Sequence, residues 1–307
     1  MKILLLGGFG YIGTTLVDHL LSHTDYKITV VDTMEFFVDP IYFYSVVNHD
    51  RLQFIKGDKS NVRLVYDLIK KNDVVVDLAA LSLPNSALEP GDAITINQIS
   101  TEVISDFCRK LGKKLIFMST CSNYGKSKTL VDENGELLPV SIYAISKVNA
   151  EKYILNNNPD SVILRCATAY GVGSGRTRWD VLYNDFVKTA ILGKQIQVFQ
   201  PTAHRPICHV FDISTAIRLA SVYNPTQATV FNIGSSEQNY QKQQLAEIVG
   251  KLSGAEVTLV EKEDKRDYRV DFSKAKKELG FEVLYTPEMA YKQLEAQLSE
   301  DLARGLV

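Results

Sequence analysis

Three tyrosine–lysine pairs in this 307-residue chain have the spacing i, i+4: Tyr66/Lys70, Tyr124/Lys128 and Tyr143/Lys147. On a helix that spacing places both side chains on one face. A phenol ionises near pH 10 and is a poor base at neutral pH, whereas a neighbouring ammonium stabilises the phenolate and brings it closer to working range. The spacing alone is a weak signal, and position separates the three pairs. Tyr66 falls on a helix early in the chain, and Tyr124 runs into Gly125 and Lys126, a loop. Tyr143 opens the helical run Ala144, Lys147, Ala150, Glu151, downstream of the hydroxyl-bearing segment Ser119-Thr120-Cys121-Ser122.

The elements that must position these groups read as alternating strands and helices. Apolar runs at 3–6, 28–31, 52–56, 74–76, 115–118 and 161–164 predict strands, and 61–70 and 93–110 predict helices between them. That alternation predicts an α/β, Rossmann-type, doubly wound parallel sheet with ligands at the carboxyl ends of its strands. The hydroxyls of Ser119 and Thr120 end the fifth strand and so face that crevice.

The first strand runs into Gly7-Gly8-Phe9-Gly10-Tyr11-Ile12-Gly13 and then a helix with Leu16, Leu20 and Leu21 at helical spacing. Gly7 permits a tight turn, Gly10 lets the backbone approach a pyrophosphate, and Gly13 lets helix and strand pack closely. The helix N-terminus offers N–H groups and partial positive charge to phosphates. Asp32, at the end of the second strand, can accept bonds from the adenosine ribose hydroxyls and repel a 2′-phosphate, which favours NAD over NADP. Asp58 could bond the adenine amino group. The small residues of Leu78-Ala79-Ala80 let backbone sit under the cofactor. The aromatic-rich stretch 34–48 either folds over the adenosine or packs on the sheet.

Composition bounds the function. Hydrophobic residues make up 45% and charged residues 23%, ordinary for a globular enzyme, and the net charge of −2 gives no footprint for nucleic acid or an anionic membrane. The four cysteines are scattered without a CxxC pair, which reads as buried thiols in a reducing compartment, hence a cytoplasmic protein. Met1 leads directly into the first strand, so no signal peptide is expected. His204 and His209 lack metal spacing with any cysteine, and no metal is expected. Asp212 is placed to cap a helix over 213–222.

Taken together, GGFGYIG, Asp32, Gly57-Asp58, Leu78-Ala79-Ala80, STCSNYG, SIYAISK, the Leu164-Arg165 to Tyr170-Gly171 segment and HRPICHVFDISTAI resemble the extended short-chain dehydrogenase/reductases that act on nucleotide-sugars. The resemblance implies a catalytic set of Thr120, Tyr143 and Lys147, with the phenol as acid or base toward a sugar hydroxyl. It implies an NAD site formed by Gly7, Gly10, Tyr11, Ile12, Asp32, Asp58, Leu78, Ala79 and Ala80 with Tyr143 and Lys147. It implies a nucleotide-diphosphate sugar substrate contacted by Thr120, Thr168, Arg178, Asn184 and Arg205, with Arg266 or Arg269 on the diphosphate. Gly173 to Arg178 is either a mobile lid over that substrate or an exposed basic loop.

Family members that eliminate water between C4 and C6 carry an Asp-Glu pair after the threonine, where this chain has Cys121 and Ser122. That argues for C4 epimerisation, with 4-keto-sugar reduction as the alternative. A non-catalytic NAD-binding regulator is disfavoured by the joint presence of Thr120, Tyr143 and Lys147. The resemblance also implies a homodimer through the helices at 93–110 and 143–156. The expected division is 1–170 with 205–235 as the NAD-binding domain, and 171–204 with 236–307 as a smaller C-terminal α/β substrate domain.

Overall fold

The computed structural model describes residues 1–82, 85–261 and 266–306. Its first half runs β1 (Lys2–Leu6), α1 (Tyr11–His23), β2 (Lys27–Asp32), α2 (Pro40–Val47), β3 (Leu52–Lys56), α3 (Val62–Lys71) and β4 (Val74–Asp77). The strands β5 (Lys114–Thr120), β6 (Lys126–Val131), β7 (Ser161–Cys166) and β8 (Thr168–Tyr170) follow. The central sheet has seven parallel strands in the order Thr229–Ile233, β7, β5, β4, β1, β2, β3. The chain winds outward from β1 to β3, then returns to β4 on the other side of β1. The carboxyl ends of β1 and β4 therefore flank the crevice where a doubly wound sheet binds its ligand.

The pleat sorts the core into two layers. Ile3 and Leu5 of β1 join Leu16, Val17 and Leu20 of α1 on one face, with Ile213 and Ile217 from the helix Val210–Val222. Leu4 and Leu6 join Val65, Leu68 and Ile69 of α3 on the other, with Ile104, Ala150 and Ile154. Near-continuous apolar strands buried on both faces are what a parallel sheet requires.

A third cluster, around Tyr170, Tyr183, Val187, Ile207, Leu245 and Leu294, forms a separate smaller core. Its sheet joins Asn239–Gln241, His204–His209 and β8. The strand His204–His209 thus belongs to the smaller sheet. Return to the central sheet begins only with the helix Val210–Val222 and is completed by Thr229–Ile233.

Two local expectations, at 93–110 and at Asp212, need correction, and two elements lie beyond what the sequence patterns predict. Residues 93–110 are not one regular helix: Pro90–Ile94 leads into a π-helical turn, Thr95–Ile99, before Ser100–Leu111. Residues 126–131 form a strand paired in parallel with Asp267–Val270, a partner too distant in sequence for periodicity to show. The stretch 34–48 contains the helix α2, started by Asp39, whose carboxylate accepts from Ile41 N and Tyr42 N. Asp212 does not cap its helix. His209 Nδ1 accepts from Phe211 N at the helix start, and Asp212 instead accepts from Leu284 N (3.1 Å) and Tyr285 N (3.2 Å), tying the helix to a remote turn.

Candidate active site

The amino-terminal turn is closed by steric demands that only glycine meets. Gly7 has φ +80°, and a Cβ on it would lie 2.7 Å from Ala79 Cα. A Cβ on Gly13 would lie 2.6 Å from the Gly7 carbonyl oxygen. Gly10 differs, since its Cβ would meet only that same oxygen, at 3.4 Å, an ordinary contact. No side chain caps α1 at Gly10, so the first N–H groups of the helix are left for an anion. Space at Gly10 and an uncapped helix start are what a pyrophosphate needs, so these residues fit a dinucleotide.

Asp32 accepts from Phe9 N and Met34 N, both at 2.9 Å, which fixes its carboxylate at the end of β2. Asp58 accepts from Ser60 N at 2.7 Å and stands half-buried at the start of the turn into α3. Leu78 N donates to Leu6 O at 2.9 Å, which sets the small-residue segment against β1. Beneath it lies a buried ion pair that motif reading missed. Lys59 Nζ donates to both Asp77 carboxylate oxygens and to Ala79 O, each at 2.9 Å, and to Thr101 Oγ1 at 3.1 Å. The lysine thereby holds the backbone that packs on Gly7.

At the end of β5, Thr120 Oγ1 accepts from Ser122 N at 3.1 Å, and its hydroxyl is near enough to the Tyr143 phenol to favour the phenolate. Tyr143 sits in the first turn of the helix Ile142–Asn157, which Ser141 caps by accepting from Ala144 N. Burial pushes the phenol up to about 12, against the charge of Arg178 and the nearby Thr120 hydroxyl, which pull it down. One turn on, Lys147 Nζ donates to Met118 O at 2.8 Å and lies 4.5 Å from the centroid of the Phe117 ring. Burial, then the charge of Lys59, lowers its ammonium to about 7. The structure thus brings Thr120 and Tyr143 together with Lys147 a turn behind. Arg178 adds a second cation near the phenol, one that the tyrosine–lysine spacing does not reveal.

The end of β5 is held from behind by a second buried network. Glu151 receives Arg165 through Nη2 (2.7 Å) and Nε (3.0 Å), together with Asn123 Nδ2 (2.8 Å) and the Ser119 hydroxyl. Arg165 Nη1 continues to Tyr124 OH at 3.0 Å. Asn97, in the π-helical turn, accepts from Leu81 N at 2.8 Å and donates to Leu81 O at 2.9 Å and Ser146 Oγ at 3.2 Å. It joins the cofactor side of the crevice to the helix that carries Tyr143. A lone interior asparagine carries no spacing signal, so its role was not readable.

The candidate substrate residues divide. Arg178 pairs with Asp180 through Nε at 2.9 Å and donates from Nη1 to Ser82 Oγ at 3.0 Å, beside Tyr143. Thr168 begins β8, half-buried, two residues past the end of β7. Asn184 is not presented to a substrate. It is fully buried, accepts from Gly171 N at 2.9 Å, and donates to Gly171 O at 3.1 Å and Arg178 O at 2.9 Å. It shapes the loop that carries Arg178.

Arg205 is also buried, with Nη1 donating to His204 O and Arg266 O and its guanidinium 5.5 Å from the Tyr268 ring centroid. Arg205 and Arg266 are therefore neighbours. Arg269 follows Tyr268 on a strand, so it lies on the opposite, exposed face and leaves this cluster. Residues 262–265, just before Arg266, lie outside the described residues.

Gly173 to Arg178 is not a free exposed loop. Tyr11 OH donates to Gly171 O at 2.6 Å, Ser174 N to Thr15 Oγ1 at 3.2 Å, and Asp39 N to Gly175 O at 2.8 Å. A Cβ on Gly175 would lie 2.1 Å from the Tyr42 ring. The segment is a strap fastened across α1 and α2, and Tyr11, expected to touch cofactor, is one of its fasteners.

All four cysteines are buried and free. Among the described residues, no helix is long and apolar enough to cross a membrane, and no cluster of three histidine, cysteine or acidic groups could hold a metal ion.

Comparison with known proteins agrees with this architecture. Residues 3–234 match the NAD dependent epimerase/dehydratase family. The chain is 26% identical over 276 residues to the uncharacterized UDP-glucose epimerase YtcB of Bacillus subtilis, covering 84% of each. It is 27% identical over 301 residues to a dTDP-glucose 4,6-dehydratase of an Actinoplanes species, covering 92% of each. Among solved structures, UDP-glucuronic acid 4-epimerase from Bacillus cereus, in complex with UDP-glucuronic acid and NAD, superposes with a TM-score of 0.83. It is 27% identical, with 98% of this chain and 99% of that one covered. The match spans the glycine turn, the crevice and the Thr120–Tyr143–Lys147 group, and the chain belongs to the NAD-dependent epimerase/dehydratase family, as an enzyme of the extended short-chain dehydrogenase/reductase type with NAD as its cofactor.

Proposed function

We propose that the chain is a nucleotide-sugar 4-epimerase working through a 4-keto intermediate. The observation that carries this reading is the juxtaposed Thr120 hydroxyl and Tyr143 phenol with no carboxylic acid at the two positions after the threonine. Cys121 is fully buried, its thiol donates to Arg165 O, and burial raises it well above the usual thiol range. Ser122 supplies only a hydroxyl. Nothing at these two positions replaces the Asp-Glu pair that dehydration between C4 and C6 uses.

NAD supplies the hydride acceptor and, on return, the hydride donor. Tyr143 takes the proton from the sugar O4 as the carbonyl forms and gives it back as the carbonyl is reduced. Thr120 holds the same oxygen and aligns it with the phenol. Lys147 and Arg178 supply the positive field that stabilises the phenolate. Arg205 and Arg266 lie where the nucleotide diphosphate is expected, and planar guanidinium groups suit bidentate phosphate bonding. The strap across α1 and α2 favours a retained cofactor, as epimerisation needs, over one exchanged at every turnover, as a reductase needs. The same reading expects a homodimer in the cytoplasm, built on the helices that expose Ile99, Ile145 and Leu155.

The test is incubation of the purified protein with UDP- and dTDP-hexoses and hexuronates, read by NMR of the sugar and by absorbance of NADH. A C4 epimer formed without net NADH change is the expected result. Net consumption of NADH with a keto-sugar substrate would establish the reductase, and a 4-keto-6-deoxy product would overturn the argument from Cys121 and Ser122.

A further inference from the structure

The strap carries a cation that neither the glycine turn nor the Thr120–Tyr143 group uses. Arg176 is half-buried, with its guanidinium carbon 4.3 Å from the centroid of the Phe36 ring. Asp32 and Asp180 attract its charge, and Arg178 repels it. Among the described residues the guanidinium makes no hydrogen bond or ion pair, although it has five N–H donors. A half-buried guanidinium against a ring, with its donors unspent, is a site for an oxygen-rich anion.

The location says which one. Asp32 ends β2 where the adenosine ribose lies in dinucleotide folds. Phe36 follows four residues later, and the strap, bonded to Asp39 N through Gly175 O, brings Arg176 onto the Phe36 ring. Asp39, Tyr42, Thr15 and Tyr11 hold the strap down, so the guanidinium is delivered by a fixed segment.

We propose that Arg176 is a cofactor-binding residue, donating to phosphate and ribose oxygens of the adenosine half of NAD while stacked on Phe36. Asp32 then takes the ribose hydroxyls and Arg176 the neighbouring anionic oxygens. Because Arg178 follows two positions later beside Tyr143, one strap serves both ends of the site.

The test uses full-length protein freed of nucleotide, titrated calorimetrically with NAD+, ADP-ribose and nicotinamide mononucleotide. It involves no hexose substrate and no turnover, so its outcome is independent of which reaction the enzyme performs. Arg176→Met keeps a stem to lie on Phe36 and removes the donors. Its Kd for NAD+ and for ADP-ribose is expected to rise about tenfold or more, the size of one charge-assisted hydrogen bond. Nicotinamide mononucleotide, which lacks the adenosine half, is expected to bind unchanged, and Arg176→Lys to recover part of the loss. ADP-ribose affinity within twofold of the parent overturns the proposal. So does an equal loss for nicotinamide mononucleotide, which would mark Arg176 as a support of the fold.

Discussion

Two glycine-rich segments meet over the crevice, and they are glycine-rich for different reasons. In the amino-terminal turn the constraint comes largely from backbone in or beside the turn: Gly7 and Gly13 have no room because Ala79 and the Gly7–Gly8 backbone occupy the space. In the strap, side chains from distant elements add to the local backbone: Gly173 lies against the Arg176 carbonyl and the Tyr11 ring, and Gly175 against the ring of Tyr42. The first segment is a device for approaching a ligand; the second is a device for being approached by side chains from the cofactor domain. Both end on the same helix, since Tyr11 and Thr15 of α1 hold the strap that the glycine turn faces.

The comparison breaks first at the chemistry both segments serve. Tyr143→Phe is expected to cut turnover by roughly a hundredfold to ten-thousandfold, the span for loss of a positioned acid–base group. NAD+ affinity should hold, and near-normal turnover in a product assay would remove the phenol from its role.

Within the glycine turn, two substitutions of equal size should part company. Gly7→Ala meets both a positive φ and a backbone contact, so a stability loss of about 1–3 kcal/mol is expected, together with weaker NAD+ binding. Gly10→Ala should leave the melting temperature nearly untouched and still raise the Kd for NAD+, because only the ligand needs that space. Equal melting curves for the two variants would contradict the steric account.

In the strap, Gly175→Ala should lift the segment and speed NAD+ release in a stopped-flow chase. Adding Tyr42→Leu should return part of that rate, since the offending ring is then gone. Additive effects would place the strap's attachment elsewhere.

The smallest effect concerns the join between the two cores. Burial, against bonds from Leu284 N and Tyr285 N, raises the Asp212 carboxyl to about 6. A folded-state value above the unfolded one means its stabilisation is complete below about pH 3.9 and fades as pH climbs through 6. The parent chain should therefore lose stability relative to Asp212→Asn across that window, read as urea midpoints at several pH values. Parallel midpoints would assign Asp212 an ordinary carboxyl.

What could be read from the sequence follows the same division. Gly7, Gly10, Gly13 and Asp32 announce themselves because their partners are close in the chain or a fixed turn away. Thr120 and Tyr143 were found because a strand end and a helix start each carry a local signature. Glu151 and Arg165 meet across 14 positions, and their pairing behind Thr120 depends on the register of β5 against β7. The strap was read as loose because its fasteners, Tyr11, Thr15, Asp39 and Tyr42, belong to segments far upstream. Asp212 was read as a cap because a polar residue near a helix start is the local pattern, and its real partners at Leu284 and Tyr285 are visible only in three dimensions. Asn184 and Arg269 fell out of the site for the same reason: residue type suggested a contact, and burial or strand alternation decided otherwise.

The Lys59–Asp77 pair constrains how this lineage can change. Replacing either partner alone strands the other's charge in the interior, a loss of several kcal/mol, directly under the wall that Ala79 raises against Gly7. Intermediates with one partner exchanged should be purged, and descendants should either keep both residues or trade both for an uncharged couple. The two positions should drift as a unit while the exposed charges around them vary freely.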